Sequence, residues 1–152
     1  MNPVSHLSGL LRQAATFYSK DVMALSDEAF NSSFAGKARR PVDFTYEVIY
    51  VNRRIAAMFR GEEFGASGEG WMVAPEGWNS REQAVEELKA SVDEVISEWE
   101  KLTDEQRLEK KGEGMFAAPY DRMTMACVHM FHHGGQLNYV QSLHGDDEMH
   151  WG

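Results

Sequence analysis

Apolar residues recur every three or four positions in four long stretches of the chain, and this spacing predicts four amphipathic helices. The first stretch runs from about residue 4 to 25, and the second from Pro41 to about Arg60. The third follows a cap at Asn79 or Ser80, and the fourth runs from the end of "GEGMFAAPYD" to Gly145. The pattern therefore predicts helices of about 20 residues each.

The prolines divide the chain in the same way. Pro3, Pro41, Pro75 and Pro119 each fall just ahead of a long stretch without proline, where proline fits a first helical turn or its approach. No stretch of comparable length alternates apolar and polar residues as a strand does. We therefore predict one all-α domain over residues 1–152, folded as a four-helix bundle.

The connecting segments carry their own signals. Residues 61–79 hold five glycines and a proline, and we expect a loop across the bundle, held by its apolar side chains Phe64, Trp71, Met72 and Trp78. The "SDEAF" stretch predicts a turn or short helical piece, and Ser80 with Gln83 has the spacing of a capping box. The tail "DDEMHWG" is expected to fray.

Two histidines stand out in the fourth segment, whose predicted core stripe holds Met125, His129, His133, Leu137, Val140 and His144. Residues four apart lie on the same face of a helix, so His129 and His133 can direct ring nitrogens at one point. Neutral imidazoles there can bind Zn, Ni, Fe or Cu. Alternatively, the two form an ordinary hydrogen-bonded pair. Gly134 and Gly135 follow directly, and we expect a steric reason for them, such as close approach of a helix or ligand.

A bound metal needs a third protein ligand from a facing helix. Glu47 is the strongest candidate because it falls inside the apolar stripe of the second helix, where a carboxylate is rare unless paired or coordinated. The alternative is an edge position that reaches solvent or pairs with Arg53 or Arg54. Asn52 is the next candidate from this helix.

Other side chains receive simpler interpretations. We expect His6 to be exposed, His132 to lie on the flank as a partly exposed structural residue, and Cys127 to be a small buried residue. Gln136 can orient a histidine ligand or make a plain interhelical hydrogen bond. The aromatic residues Tyr50, Trp99 and Tyr139 are interpreted as packing residues.

Composition excludes some functions. The chain has 24 acidic and 15 basic residues, a net charge of −9, and its longest basic cluster is "KARR", so we predict no nucleic-acid partner. No run of 18 apolar residues and no secretion signal occur, so we expect a cytoplasmic protein without a membrane partner.

The run "HMFHHGGQLNYVQSLHG", residues 129–145, resembles the last helix of the DinB-like (DinB/YfiT) superfamily. That helix carries a His, three residues, a second His, a short step to Gly-Gln-Leu and a tyrosine-containing continuation. The resemblance implies a four-helix bundle of the DinB/YfiT type with a long loop between helices 2 and 3. It also implies a homodimer and a divalent metal between helices 2 and 4, with His129 and His133 as ligands.

This chain departs from the family in the second helix, where members usually have a third His. The matching segment "PVDFTYEVIYVN" offers Glu47 instead. The resemblance implies either that Glu47 completes the ligand set or that this branch binds metal weakly or not at all.

Well-understood members act on low-molecular-weight thiols. By this likeness we expect a metal-dependent enzyme, of thiol S-transferase or hydrolase type, with Zn, Ni or Fe bound by Glu47, His129 and His133, and with a small-molecule substrate. The alternative is a non-catalytic, dimeric, stress-associated binding module without metal.

Overall fold

The computed structural model of the chain describes residues 2–64 and 70–152 and is all-helical there, without a strand. This confirms that the fold is all-α, as predicted. The helices are α1 (Pro3–Ala24), α2 (Asp27–Asn31), α3 (Pro41–Phe59), α4 (Arg81–Lys101), α5 (Asp104–Leu108) and α6 (Pro119–Leu143). The four long helices begin and end within a few residues of the predicted positions.

The long helices pack around one apolar core. Helix α1 contacts α4 and α6, and α3 contacts the same two helices, while α2 lies on α3 and α5 on α6. The largest fully buried side chains include Tyr18, Phe30, Ile49, Trp99 and Met130. No helix of residues 2–64 and 70–152 combines the length and the apolar composition needed to cross a bilayer.

The helices begin at prolines and at capping residues, and the sequence analysis identified some of these starts. A proline occupies the first turn of α1, α3 and α6. The Ser80 hydroxyl accepts a hydrogen bond from the Gln83 backbone N–H (3.2 Å), but the Gln83 side chain donates to Glu87 (2.9 Å), so the predicted capping box is only half formed. A complete box, which the sequence analysis missed, joins Thr103 and Gln106 at the start of α5.

The loop between α3 and α4 lies against α3, and its residues 65–69 are outside the described part of the chain. Trp78 is buried, packs edge-on against Tyr46, and donates its indole N–H to Glu87 (2.9 Å). Phe64 and Trp71 both contact the ring of Tyr50, which confirms the packing role of that tyrosine. Met72, however, is 43% exposed, so the prediction that it holds the loop against the bundle was wrong.

The C-terminal tail is docked on α1, and the prediction that it frays was wrong. The Trp151 ring stacks on Phe17 with centroids 4.6 Å apart, and its indole N–H donates to the Asp21 carboxylate at 3.0 Å. Lys20 donates to the Gly152 carbonyl at 2.8 Å. Burial raises the pKa of Asp21, and the bond from Trp151 opposes this. A single tryptophan therefore offers both stacking area and a donor to a buried carboxylate.

We expect Trp151→Ala to lower the free energy of unfolding by about 1–3 kcal/mol, because the buried Asp21 carboxylate loses a donor. Urea denaturation followed by circular dichroism measures this change. Met149→Ala is the matched control, since Met149 lies in the same tail and is 79% exposed. Equal loss in both variants would show that the tail contact contributes nothing specific.

Candidate metal centre

Helix α6 buries a face that differs from the predicted stripe. Its buried residues are Pro119, Met123, Ala126, Cys127, Met130, His133, Gly134, Leu137 and Gln141. Of the predicted stripe, His133 and Leu137 are buried, Met125, His129 and Val140 are half-buried, and His144 is exposed just after the helix end. Each four-residue step turns a helix by about 40° beyond one full turn, so the step from His133 back to His129 moves to the edge of the face.

Glu47 lies on the buried face of α3, as predicted. It is 6% exposed, and the neighbouring Phe44 and Val48 are also buried. Asn52 is buried too, but its amide donates to the Ser91 hydroxyl (3.1 Å) on α4. Asn52 is therefore part of the α3–α4 contact and not of a site with the histidines.

Three donor atoms converge where α3 meets α6. Glu47 Oε1 lies 3.3 Å from His129 Nε2 and 3.6 Å from His133 Nε2, and the two nitrogens are 3.1 Å apart. A point about 1.9 Å from all three atoms lies in their plane, which is compatible with metal–nitrogen and metal–oxygen bonds of about 2.0–2.2 Å. This cluster of Glu47, His129 and His133 can hold a metal ion.

The orientation of His133 suits a ligand. Its Nδ1 lies 2.6 Å from Gln136 Oε1, so the Nδ1–H donates to the amide oxygen and the Nε2 lone pair faces the cluster. Metal-binding histidines commonly donate their second ring N–H in this way. The Phe44 ring stacks on the imidazole with centroids 5.4 Å apart and fixes its plane. The orienting role predicted for Gln136 matches this contact.

Arg39 is a component of the site that the sequence analysis missed. Its guanidinium donates to Glu47 Oε2 (2.5 Å) and to the Met72 carbonyl (2.7 Å), so Glu47 turns its other oxygen to the histidines. The predicted alternative partners of Glu47 were wrong, because Arg53 pairs with Glu87 and Arg54 has no carboxylate partner among the described residues. Arg39 belongs to the "KARR" cluster just before α3, whose basic composition in the sequence bears only on nucleic-acid binding.

Electrostatics set the protonation states that metal ligands need. Burial raises the pKa of Glu47, but the hydrogen bond and charge of Arg39 outweigh it, so the pKa is lower than usual. Burial lowers the pKa of His129, and it lowers the pKa of His133 to about 4. At neutral pH the site therefore has two neutral imidazoles and one carboxylate, the forms in which these groups bind metals.

Contacts within the described part of the chain do not require glycine at positions 134 and 135. A Cβ on Gly134 would lie 3.8 Å from the Tyr18 ring, an ordinary contact, and a Cβ on Gly135 would meet nothing within 4 Å. The expected close approach of another helix was therefore wrong. Gly135 does border an open cleft, which leaves room for a ligand there.

That cleft, of about 390 Å³, adjoins the cluster on the Gln136 side. It is lined by Arg39 and Gln136, which contact Glu47 and His133, but not by the three cluster residues themselves. His132 is exposed and also lines it. We call this space the first cleft.

Burial or exposure decides the predicted roles of four other side chains. His6 is exposed and Trp99 is fully buried, as predicted. Cys127 is also buried, and burial raises its pKa to about 11, so the thiol is unreactive at neutral pH. Tyr139 is 67% exposed, and its interpretation as a packing residue was wrong.

Comparison with known proteins adds no relative, since neither a protein-family model nor a curated protein matches this chain. Membership of the DinB-like superfamily therefore stays a prediction from residues 129–145 and the helical architecture.

Gln136→Ala should weaken Zn²⁺ binding about 10-fold or more, because His133 loses the acceptor that orients its ring. Competition with a chromophoric chelator measures the affinity. Gln136→Glu keeps an acceptor at the same position and should retain tight binding. Unchanged affinity in Gln136→Ala would refute the orienting role.

Proposed function

We propose that the chain is a four-helix bundle of the DinB/YfiT type and a metal-dependent enzyme, with one divalent transition metal ion bound by Glu47, His129 and His133. The packing of α1 and α3 against both α4 and α6 supports the bundle. The observation that carries the metal site is the convergence of one carboxylate oxygen and two imidazole nitrogens within 3.1–3.6 Å of one another. Two histidines and one carboxylate leave coordination positions open for a substrate.

The charge balance favours an anionic substrate group. The charges of Glu47 and Arg39 cancel, and the imidazoles are neutral, so the charge of a bound dication is not neutralised by the site itself. A bound Zn, Ni or Fe ion lowers the pKa of a thiol or water and so supplies a nucleophile near neutral pH. A small-molecule substrate with a thiol group, in an S-transferase or hydrolase reaction, is consistent with both points.

The chain's own residues prepare the site. Arg39 fixes Glu47 with one oxygen toward the histidines, and Gln136 selects the His133 tautomer that presents Nε2. Phe44 covers one face of His133 and excludes water there. Each of these contacts restricts a ligand before a substrate arrives, which lowers the entropy cost of assembling the site.

A non-catalytic, metal-free module is the second candidate, and one observation favours it. Every cluster side chain already has a polar partner within the protein: Glu47 has Arg39 and His129, and His133 has Gln136. Such a network can be a stable structural feature by itself, since buried polar groups need only satisfied hydrogen bonds.

Metal analysis after loading with Zn²⁺ and gel filtration separates the two candidates. We expect about one ion per chain in the wild type and less than about a tenth of that in His133→Ala, because two remaining ligands bind weakly. His132→Ala is the matched control, since His132 is adjacent but exposed and should retain the ion. Equal ion content in the wild type and His133→Ala would contradict the proposed site, and no ion in either protein would support the metal-free module.

We further propose that the protein is a homodimer through the outer face of α6. Val128, Phe131 and Tyr139 follow one another at helical spacing on this face and are 62%, 37% and 67% exposed. Exposed apolar residues grouped in this way are typical of interaction surfaces.

Phe131→Asp should shift the protein from dimer to monomer, because a charge in the centre of an apolar interface is costly to bury. Size-exclusion chromatography with light scattering measures the mass. Met149→Asp changes an exposed apolar residue outside α6 and should leave the mass unaltered. A wild-type monomer at all accessible concentrations would contradict the dimer.

A further inference from the structure

Two arginines differ from all the others in the described part of the chain. The sequence has nine arginines, and seven of them lie within 4 Å of a carboxylate oxygen: Arg12, Arg39, Arg40, Arg53, Arg60, Arg81 and Arg107. Arg54 and Arg122 have no such partner among residues 2–64 and 70–152. Because acidic residues outnumber basic ones 24 to 15, two guanidinium groups without a carboxylate partner in this part of the chain are unexpected.

Both arginines line the same cleft, of about 450 Å³, between α3 and the segment that leads into α6. Its other walls are largely apolar and include Ile55, Met58 and Phe116. We call this space the second cleft. Two unpaired positive charges in one apolar cleft indicate a site for an anionic group.

The second cleft lies on the opposite side of the cluster from the first. Helices α3 and α6 run antiparallel, since Glu47 meets His129 while Met58, further along α3, meets Arg122, earlier in α6. Arg54 lies seven residues after Glu47, and Arg122 lies seven residues before His129. At 1.5 Å per residue both arginines are therefore about 10 Å along the groove from the cluster.

The position of Arg122 is electrostatically unfavourable without a ligand. It lies in the first turn of α6, where the helix dipole disfavours a positive charge. Burial lowers the pKa of Arg122, and the charge of Arg54 lowers it further. An anion in the second cleft would relieve both repulsions.

The Arg122 side chain is nevertheless held in place. Its Nε–H donates to the Phe116 carbonyl (2.8 Å), and Nη1 contacts Met58 Sδ (2.8 Å), which is a weak acceptor. A guanidinium has five N–H donors, so several remain for a ligand. These two contacts fix the Arg122 guanidinium and leave its other N–H groups free to donate to a ligand.

We propose that Arg54 and Arg122 bind the carboxylate or phosphate end of a small amphiphilic ligand whose other end reaches the Glu47, His129 and His133 cluster. The planar guanidinium matches both anions with paired hydrogen bonds. Val51 and Met125 lie between the arginines and the cluster, about one helical turn from Glu47 and from His129 respectively. They can contact an apolar middle part of the ligand. The proposed contact between the ligand's other end and the cluster rests on the proposed metal function, but the anion site does not.

Among the described residues, Glu113 is the one carboxylate that lines the second cleft, and its removal offers a further test. It is exposed and lies between Gly112 and Gly114, both with positive φ. If it approaches the arginines in solution it competes with a ligand anion. Glu113→Gln should then strengthen anion binding.

The anion site is tested on the metal-free full chain by NMR of arginine Nε–H signals during titration with inorganic phosphate and with succinate. We expect saturable shifts of the Arg54 and Arg122 signals in the wild type. Binding should be at least about tenfold weaker in Arg54→Gln, followed at Arg122, and in Arg122→Gln, followed at Arg54. Arg53→Gln is the matched control, since Arg53 adjoins Arg54 but pairs with Glu87. The anion that binds more tightly identifies the ligand's end group as phosphate or carboxylate.

Absence of a saturable shift with both anions, or equal affinity in all the arginine variants, would overturn the proposal. Arg54→Lys provides a second variant if a glutamine variant unfolds, because it keeps the charge but loses the paired hydrogen bonds, and it should also bind more weakly.

The link to the cluster is tested on Co²⁺-loaded protein with thiol probes, using the visible absorption of the cobalt site. Because its carboxylate can bind to the two arginines, 8-mercaptooctanoate should bind about tenfold more tightly than 8-mercaptooctanol. Arg122→Gln should remove that difference. The short 3-mercaptopropionate should be insensitive to Arg122→Gln. Equal binding of the two long probes would overturn the link, whereas failure to load Co²⁺ would count against the metal function and leave the phosphate titration as it stands.

Discussion

A carboxylate buried between α3 and α6 is the constraint on which the site depends. Glu47 is 6% exposed, and a buried charge without partners would cost several kcal/mol. Arg39 satisfies one carboxylate oxygen, and the other faces His129 and His133. Because Arg39 also bonds to the Met72 carbonyl, the same contact attaches the loop before α4 to the start of α3. Glu47 thus joins α3 to α6, and Arg39 joins Glu47 to the segment before α3 and to the loop before α4.

The position of this cluster also organises the surface around it. The groove between α3 and α6 has a cleft on each side of the cluster, one bordered by Arg39 and Gln136 and the other by Arg54 and Arg122. The second of these clefts brings two arginines to about 10 Å from the cluster in a protein whose net charge is −9. This local reversal of charge suits an anionic small molecule, and it makes the groove the natural place for the proposed chemistry.

The periodicity of the sequence predicted the helices well because apolar spacing and proline position act locally. The same reasoning found Glu47, since a carboxylate inside an apolar stripe is conspicuous, and the His129 and His133 pair, since helical spacing fixes their shared side. It could not find Arg39, which lies in a segment without periodicity and reaches Glu47 only once α3 is formed. The prediction that the C-terminal tail frays was wrong for a similar reason. Nothing in the local sequence shows that Trp151 contacts Phe17 and Asp21 on α1.

The proposed site exists only if Glu47, His129 and His133 bind one ion together. The sharpest test is a crystal structure with anomalous data collected at the Zn, Ni and Fe edges. We expect one anomalous peak at about 2.0–2.2 Å from Glu47 Oε1 and from Nε2 of both histidines, at the edge of a single element. A fully metal-loaded crystal with no peak there, or with the three side chains bonded only to one another, would contradict it.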